Sequence, residues 1–197
     1  MERKLKPIHV QQALQEKGIR IFSPLEFQRF FSVSFRAAQE FIKDHSDDVF
    51  LKMRNGLYAL RVDLPSEGTM ANRLYAPSYI SFEYAMARYG LIPESVYTVT
   101  SATPKVTREF VVDKKCFTYA RIKEQAYRGY GPRKIDGVTV FFAEPEKAFV
   151  DQHYFVDLKL KPLNDRLNVG KLNKKRVMEY AGLFGRPSLL KLVRSLV

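Results

Sequence analysis

Asn55-Gly56 stands between two β-rich runs, residues 49–53 and 57–60, and this arrangement constrains the fold more than any other feature of the chain. Asparagine and glycine tolerate the backbone of a tight turn, so the pair predicts an antiparallel hairpin. The residues before it are patterned as helices. Ser23-Pro24 offers a capping hydroxyl and a proline at the first helical position, with Glu26 in the first turn, which predicts a helix over 24–31. Ser34 caps a second helix over 35–43, in which Phe35, Ala38, Phe41 and Ile42 recur at the spacing of one face. Arg36, Gln39, Glu40 and Lys43 fall on the other face. Upstream, 10–17 reads as a short helix ended by Gly18, and 19–22 as extended. Helix, short strand, helix, turn, helix, hairpin is the order of a winged helix-turn-helix, which we assign to residues 1–62.

Residues 63–73, with Pro65, Ser66, Gly68 and Asn72, read as a linker to a second domain over 74–197. In that domain Ser81 caps a helix that stops at Gly90, strands are expected at 96–102, 107–112, 117–123 and 138–142, and Pro145 opens a helix to about residue 156. Arg128-Gly129-Tyr130-Gly131-Pro132 reads as a tight turn. From Asp157 onward the chain is basic, with helices expected over 171–180 and 188–196. The expected fold class is α+β: an N-terminal winged helix-turn-helix, a mixed α/β domain with a small sheet, and a basic helical C-terminal tail.

The 197 residues carry a formal net charge of +12, and the surplus is not spread evenly. The middle of the chain is close to neutral and the excess sits at the two ends, as expected if those ends face a polyanion. Nucleic acid is favoured over an anionic membrane surface, though the charge alone names neither; the helix-turn-helix order makes double-stranded DNA the expected partner. The second helix of a helix-turn-helix enters the major groove, where arginine pairs with guanine and glutamine with adenine. Arg36 and Gln39 are therefore the expected base readers, with Glu40 beside them. Ser32, Ser34, Lys43, Lys52 and Arg54 are suited to phosphates, Asn55 and Gly56 to the wing tip, and Lys171, Lys174, Lys175 and Arg176 to further phosphate contacts. A lone cysteine, Cys116, excludes an intramolecular disulfide, and no run reaches the length of a membrane span. A cytoplasmic protein without membrane association is expected.

Phe22-Ser23-Pro24, Asn55-Gly56-Leu57-Tyr58, Tyr75-Ala76-Pro77-Ser78-Tyr79-Ile80-Ser81, Tyr89-Gly90-Leu91-Ile92-Pro93-Glu94 and Glu144-Pro145-Glu146-Lys147-Ala148 with Asp151 follow one another in an order that resembles the AbiEi-type antitoxins of bacterial type IV toxin-antitoxin systems. The resemblance spans residues 22–151. It implies a winged helix that represses its own operon at an inverted-repeat operator, and a C-terminal domain that counteracts a nucleotidyltransferase-like toxin. A stable complex with that toxin is not implied. The tail after Asp157 carries none of these motifs.

An enzyme is the competing expectation. Glu144-x-Glu146-Lys147 after an apolar strand is faintly similar to the acidic end of metal-dependent nucleases, with Asp113 as an upstream carboxylate. Pro145, however, makes Glu146 and Lys147 first-turn helix residues, where an acid also complements the helix dipole. His9, His45 and His153 are scattered, and no glycine-rich phosphate loop is present. The expectation is therefore no enzyme, no catalytic residue, no metal and no cofactor. A nuclease of a defence system and a protein-interaction module remain as alternatives.

Overall fold

A computed structural model describes residues 5–135 and 138–197; the first four residues of the expected N-terminal domain lie outside the described residues. Among these residues eight α-helices and two sheets form a mixed α+β fold. The chain begins with α1 (Pro7–Glu16), β1 (Ile21–Phe22), α2 (Pro24–Phe31), α3 (Phe35–Asp44), β2 (Phe50–Arg54) and β3 (Leu57–Leu60). The three strands make one antiparallel sheet in the order β1-β3-β2. Local signals place these elements. Ser23 and Glu26 form a reciprocal capping box at α2, and the Ser34 hydroxyl accepts from the Ala37 amide at α3.

Phenylalanines hold this part together. Phe27 lies 5.7 Å from Phe41 and 6.1 Å from Phe50 between ring centroids, and Phe22 packs edge-on against Phe50 at 5.1 Å. Each fully buried ring contributes about 1.5–3 kcal/mol, so α2, α3 and the sheet are fixed to one another. Phe35 departs from the expected apolar face. At the first position of α3 it stands 45% exposed, because Ala38 and Ile42 alone carry the buried stripe there.

The hairpin is buried on both sides. Phe50 and Leu60 belong to the N-terminal core, whereas Leu51, Met53, Leu57 and Ala59 point into a second, larger core. Residues 63–73, expected as a linker, lead into that core instead. A 3₁₀ turn (Arg61–Asp63) precedes α4 (Glu67–Leu74), whose Gly68, Met70, Ala71 and Leu74 are buried. Ser66 caps α4 by accepting from Thr69, and Gly68 faces Val140, whose Cγ1 would lie 3.0 Å from a Cβ at that site. The residues that resemble a linker are thus a helix cap and a close-packing glycine.

The rest of the chain adds β4 (Tyr79–Ile80), α5 (Phe82–Arg88), β5 (Val99–Thr103), β6 (Arg108–Val112), β7 (Lys115–Arg121), β8 (Tyr130–Ile135), β9 (Val138–Ala143) and α6 (Pro145–Asp157). A six-stranded sheet runs β6-β7-β5-β4-β9-β8, with β5/β7 and β4/β9 parallel. The expected tight turn at 128–132 is met only in part: Gly129 bends the chain, but Tyr130 starts edge strand β8, where Pro132 is tolerated because an edge residue can do without an amide donor. Finally α7 (Lys174–Gly182) and α8 (Pro187–Leu196) pack on α6 through Val177, Ala181, Phe184, Leu189 and Val193.

Candidate nucleic-acid interface

Three of the four polar residues expected on the exposed face of α3 carry charge, and all four lie at the surface: Arg36, Gln39, Glu40 and Lys43 are exposed. Arg36 Nε donates to Glu40 Oε1 at 2.8 Å across one helical turn, with side-chain exposures of 88% and 61%. So exposed a pair holds its partners weakly, and either group can exchange to another ligand. At the helix entrance, Ser32 adopts a left-handed backbone (φ 54°) as the C-cap of α2, and Ser34 spends its hydroxyl on the cap of α3. The two serines turn the chain and start the helix. Phe35 joins the polar residues as an exposed ring, which the periodic pattern had assigned to the core.

Lys52 projects from β2 into solvent, and Asn55-Gly56 forms an exposed two-residue turn with Gly56 at φ 72°. Arg54 is placed differently from the expectation of a phosphate contact. Its Nε donates to the Leu74 carbonyl at 2.8 Å and its Nη1 to the Asn55 carbonyl at 2.9 Å. The guanidinium therefore ties the hairpin tip to the end of α4. A second tie is Arg73 Nη2, which reaches both carboxylate oxygens of Glu26 on α2, at 2.9 and 3.0 Å. Burial raises the Glu26 pKa, but hydrogen bonds from Ser23 and Arg73 outweigh it and hold the carboxyl below its ordinary value.

The basic tail divides in the same way. Lys171, Lys174 and Lys175 are exposed around the first turn of α7. Arg176 is engaged: its guanidinium bonds Glu144 and, at 2.9 Å, the Tyr180 hydroxyl, which itself donates to Glu144. This cluster sits beside Gly129, which has a left-handed φ of 78° and where a Cβ would also lie 2.6 Å from the Tyr180 ring. Arg176 thus docks α7 onto the N-cap of α6.

The residues of the enzyme alternative are scattered. Glu144 pairs with Arg176, Glu146 accepts from the Asn173 amide at 3.0 Å, Asp113 lies in the β6–β7 turn, and Lys147 points inward to Asp151. Among the described residues no group of three or more His, Cys, Asp or Glu side chains gathers as a metal site requires. Nor is any described helix long and apolar enough to cross a membrane. Asp151 is the centre of a polar cluster that sequence reasoning missed. It accepts from Lys147, from the Tyr79 hydroxyl at 2.9 Å and from the Ser81 hydroxyl at 2.7 Å, so Ser81 stands at the N-cap of α5 but gives its side chain to Asp151. The spacing Lys147-x-x-x-Asp151 within a helix was the available signal.

Sequence comparisons with protein-family models and with curated proteins find no match.

Proposed function

We propose that the chain is a sequence-specific DNA-binding regulator, with residues 1–62 acting as a winged helix-turn-helix and α3 as its reading helix. The observation that carries this proposal is the outward face of α3. Arg36, Gln39, Glu40 and Lys43 line a helix whose opposite face is locked by Ala38, Ile42 and the ring of Phe41 against Phe27 and Phe50. A helix so fixed and so furnished has the width and chemistry of a major-groove reader. Arg36 leaves Glu40 for guanine acceptors, Gln39 pairs with adenine, and the exposed Phe35 ring suits a thymine methyl. Lys43 and Lys52 take phosphates. The hairpin β2–β3 is a wing braced from behind, and Arg54 serves it as a strut.

Lys171, Lys174 and Lys175 add a second basic surface. Lys174 and Lys175 stand in the first turn of α7, the positive end of the helix dipole, where a cation lowers helix stability. An anionic partner gives that placement a use.

In the fuller reading, supported by the resemblance of residues 22–151 to AbiEi-type antitoxins, the protein represses its own operon at an inverted repeat and residues 74–197 counteract a nucleotidyltransferase-like toxin. Two experiments test this. A gel shift with the DNA upstream of the gene should show a retarded band that competitor operator removes and scrambled duplex does not. Co-expression with the neighbouring gene should rescue growth from its toxicity; a neighbour harmless on its own would sink the antitoxin role.

A further inference from the structure

A cleft of about 500 Å³ opens between the end of α4, residues 76–78 and the β8–β9 hairpin. That volume accepts a ligand of one or two rings. Its walls are largely apolar and aromatic. Tyr130 stacks one face on Tyr79 at 4.2 Å, lies tilted to Tyr127 at 5.0 Å between centroids, and meets Phe141 nearly edge-on at 6.1 Å. Phe141 remains 50% exposed there, on a strand whose neighbouring residues, Val140 and Phe142, are buried.

Two polar groups interrupt this lining. Ser78 is 5% exposed, and its Oγ has no hydrogen-bond partner. Buried hydroxyls are nearly always paired, and a serine changes rotamer readily, so Ser78 Oγ is able to turn toward a polar group placed in the cleft. Arg73 stands at the rim. Its Nη2 serves Glu26, while its Nε and Nη1 make no hydrogen bond among the described residues. Asn72 lines the cleft too, but it is already committed, exchanging hydrogen bonds with the Phe141 backbone in both directions.

We propose that this cleft binds a small aromatic carboxylate, its ring held by Tyr130 and Phe141, its carboxylate paired with Arg73, and a ring substituent bonded to Ser78 Oγ. Stacking rings, one guanidinium with donors to spare and one unpaired hydroxyl are the recognition set for such an acid. Arg73 then holds the acid through Nε and Nη1 and Glu26 through Nη2, which links the cleft to α2.

Ligand-observed saturation-transfer NMR of the full chain, without DNA, tests the proposal and is independent of the reading of α3. The probes are benzoate, 4-hydroxybenzoate and indole-3-carboxylate at 1 mM, with cyclohexanecarboxylate and benzamide as controls. At least one aromatic acid should show transfer, with the saturated acid and the amide weaker. Ser78→Ala removes a hydroxyl that has no partner and so leaves the fold intact; it should weaken binding of the best acid at least fivefold, as should Arg73→Gln. Glu26→Gln, which removes a negative charge next to Arg73, should bind that acid at least as tightly as wild type. No transfer from any aromatic acid, or binding unchanged by both Ser78→Ala and Arg73→Gln, overturns the proposal.

Discussion

Lys147 and Asp151, one turn apart on α6, form an ion pair whose two side chains are entirely shut off from solvent. Burial lowers the pKa of the lysine and raises that of the aspartate, each opposed by the other's charge. Asp151 also accepts from Tyr79 on β4 and from Ser81 at the start of α5, so one carboxylate joins three elements.

Breaking that pair from one side leaves an uncompensated charge in the interior. Lys147→Met and Asp151→Asn should each lower unfolding free energy, by about 3–5 kcal/mol for the lysine change, read from urea denaturation. The double variant should lose clearly less than the sum of the two, because neither charge is then stranded. Additive losses would show that the two residues act separately.

His153 gives the fold a dependence on mild acid. It is buried, and burial holds its pKa below the ordinary histidine value, opposed by the bond from its ring to the Phe149 carbonyl at 2.7 Å. The folded chain therefore keeps it neutral while the unfolded chain protonates it near pH 6.5. The associated stability is present in full above that pH and drains away as pH falls toward the depressed folded value. Thermal melts between pH 7.5 and 5.5 should show a falling midpoint. In His153→Asn, less stable throughout, the fall should be shallower.

The β6–β7 turn stores strain. Asp113 and Lys114 both adopt left-handed backbone, at φ 46° and 65°, the conformation a two-residue hairpin demands. Lys114→Gly should stabilise the protein by about 0.5–1 kcal/mol. Gly129→Ala should do the reverse and cost more, since the new methyl meets Tyr180 as well as an unfavourable φ. Chemical denaturation of the two variants measures both.

What the sequence disclosed follows from the range of the forces involved. The caps Ser23 and Ser34, the proline starts at Pro24 and Pro145 and the Asn55-Gly56 turn act over three or four residues, and the elements they predict lie where expected. Features that depend on distant partners were hidden. Gly68 reads as a linker residue until Val140 is seen across from it, β8 forms only because β9 pairs with it, and Arg54 and Arg176 read as free cations until Leu74 and Glu144 meet them. The outward face of α3 was legible, because its apolar stripe is local; Phe35 was misplaced because the stripe narrows at the first turn.

Arg176 and its lysine neighbours should therefore part company in experiment. Lys174→Glu with Lys175→Glu should leave stability nearly unchanged and flatten the salt dependence of DNA binding, each lost phosphate contact removing about 0.9 from the slope of log K against log salt. Arg176→Ala should instead lower the melting temperature, by freeing α7 from Glu144.

The most direct test of α3 as the reading helix is fluorescence anisotropy of a labelled upstream duplex, titrated with wild type, Arg36→Ala and Gln39→Ala beside a scrambled duplex. Wild type should prefer the upstream sequence, and each variant should lose roughly ten- to a hundredfold in that preference while keeping its binding to scrambled DNA. Equal affinity for the two duplexes, or a preference that survives both substitutions, would contradict it.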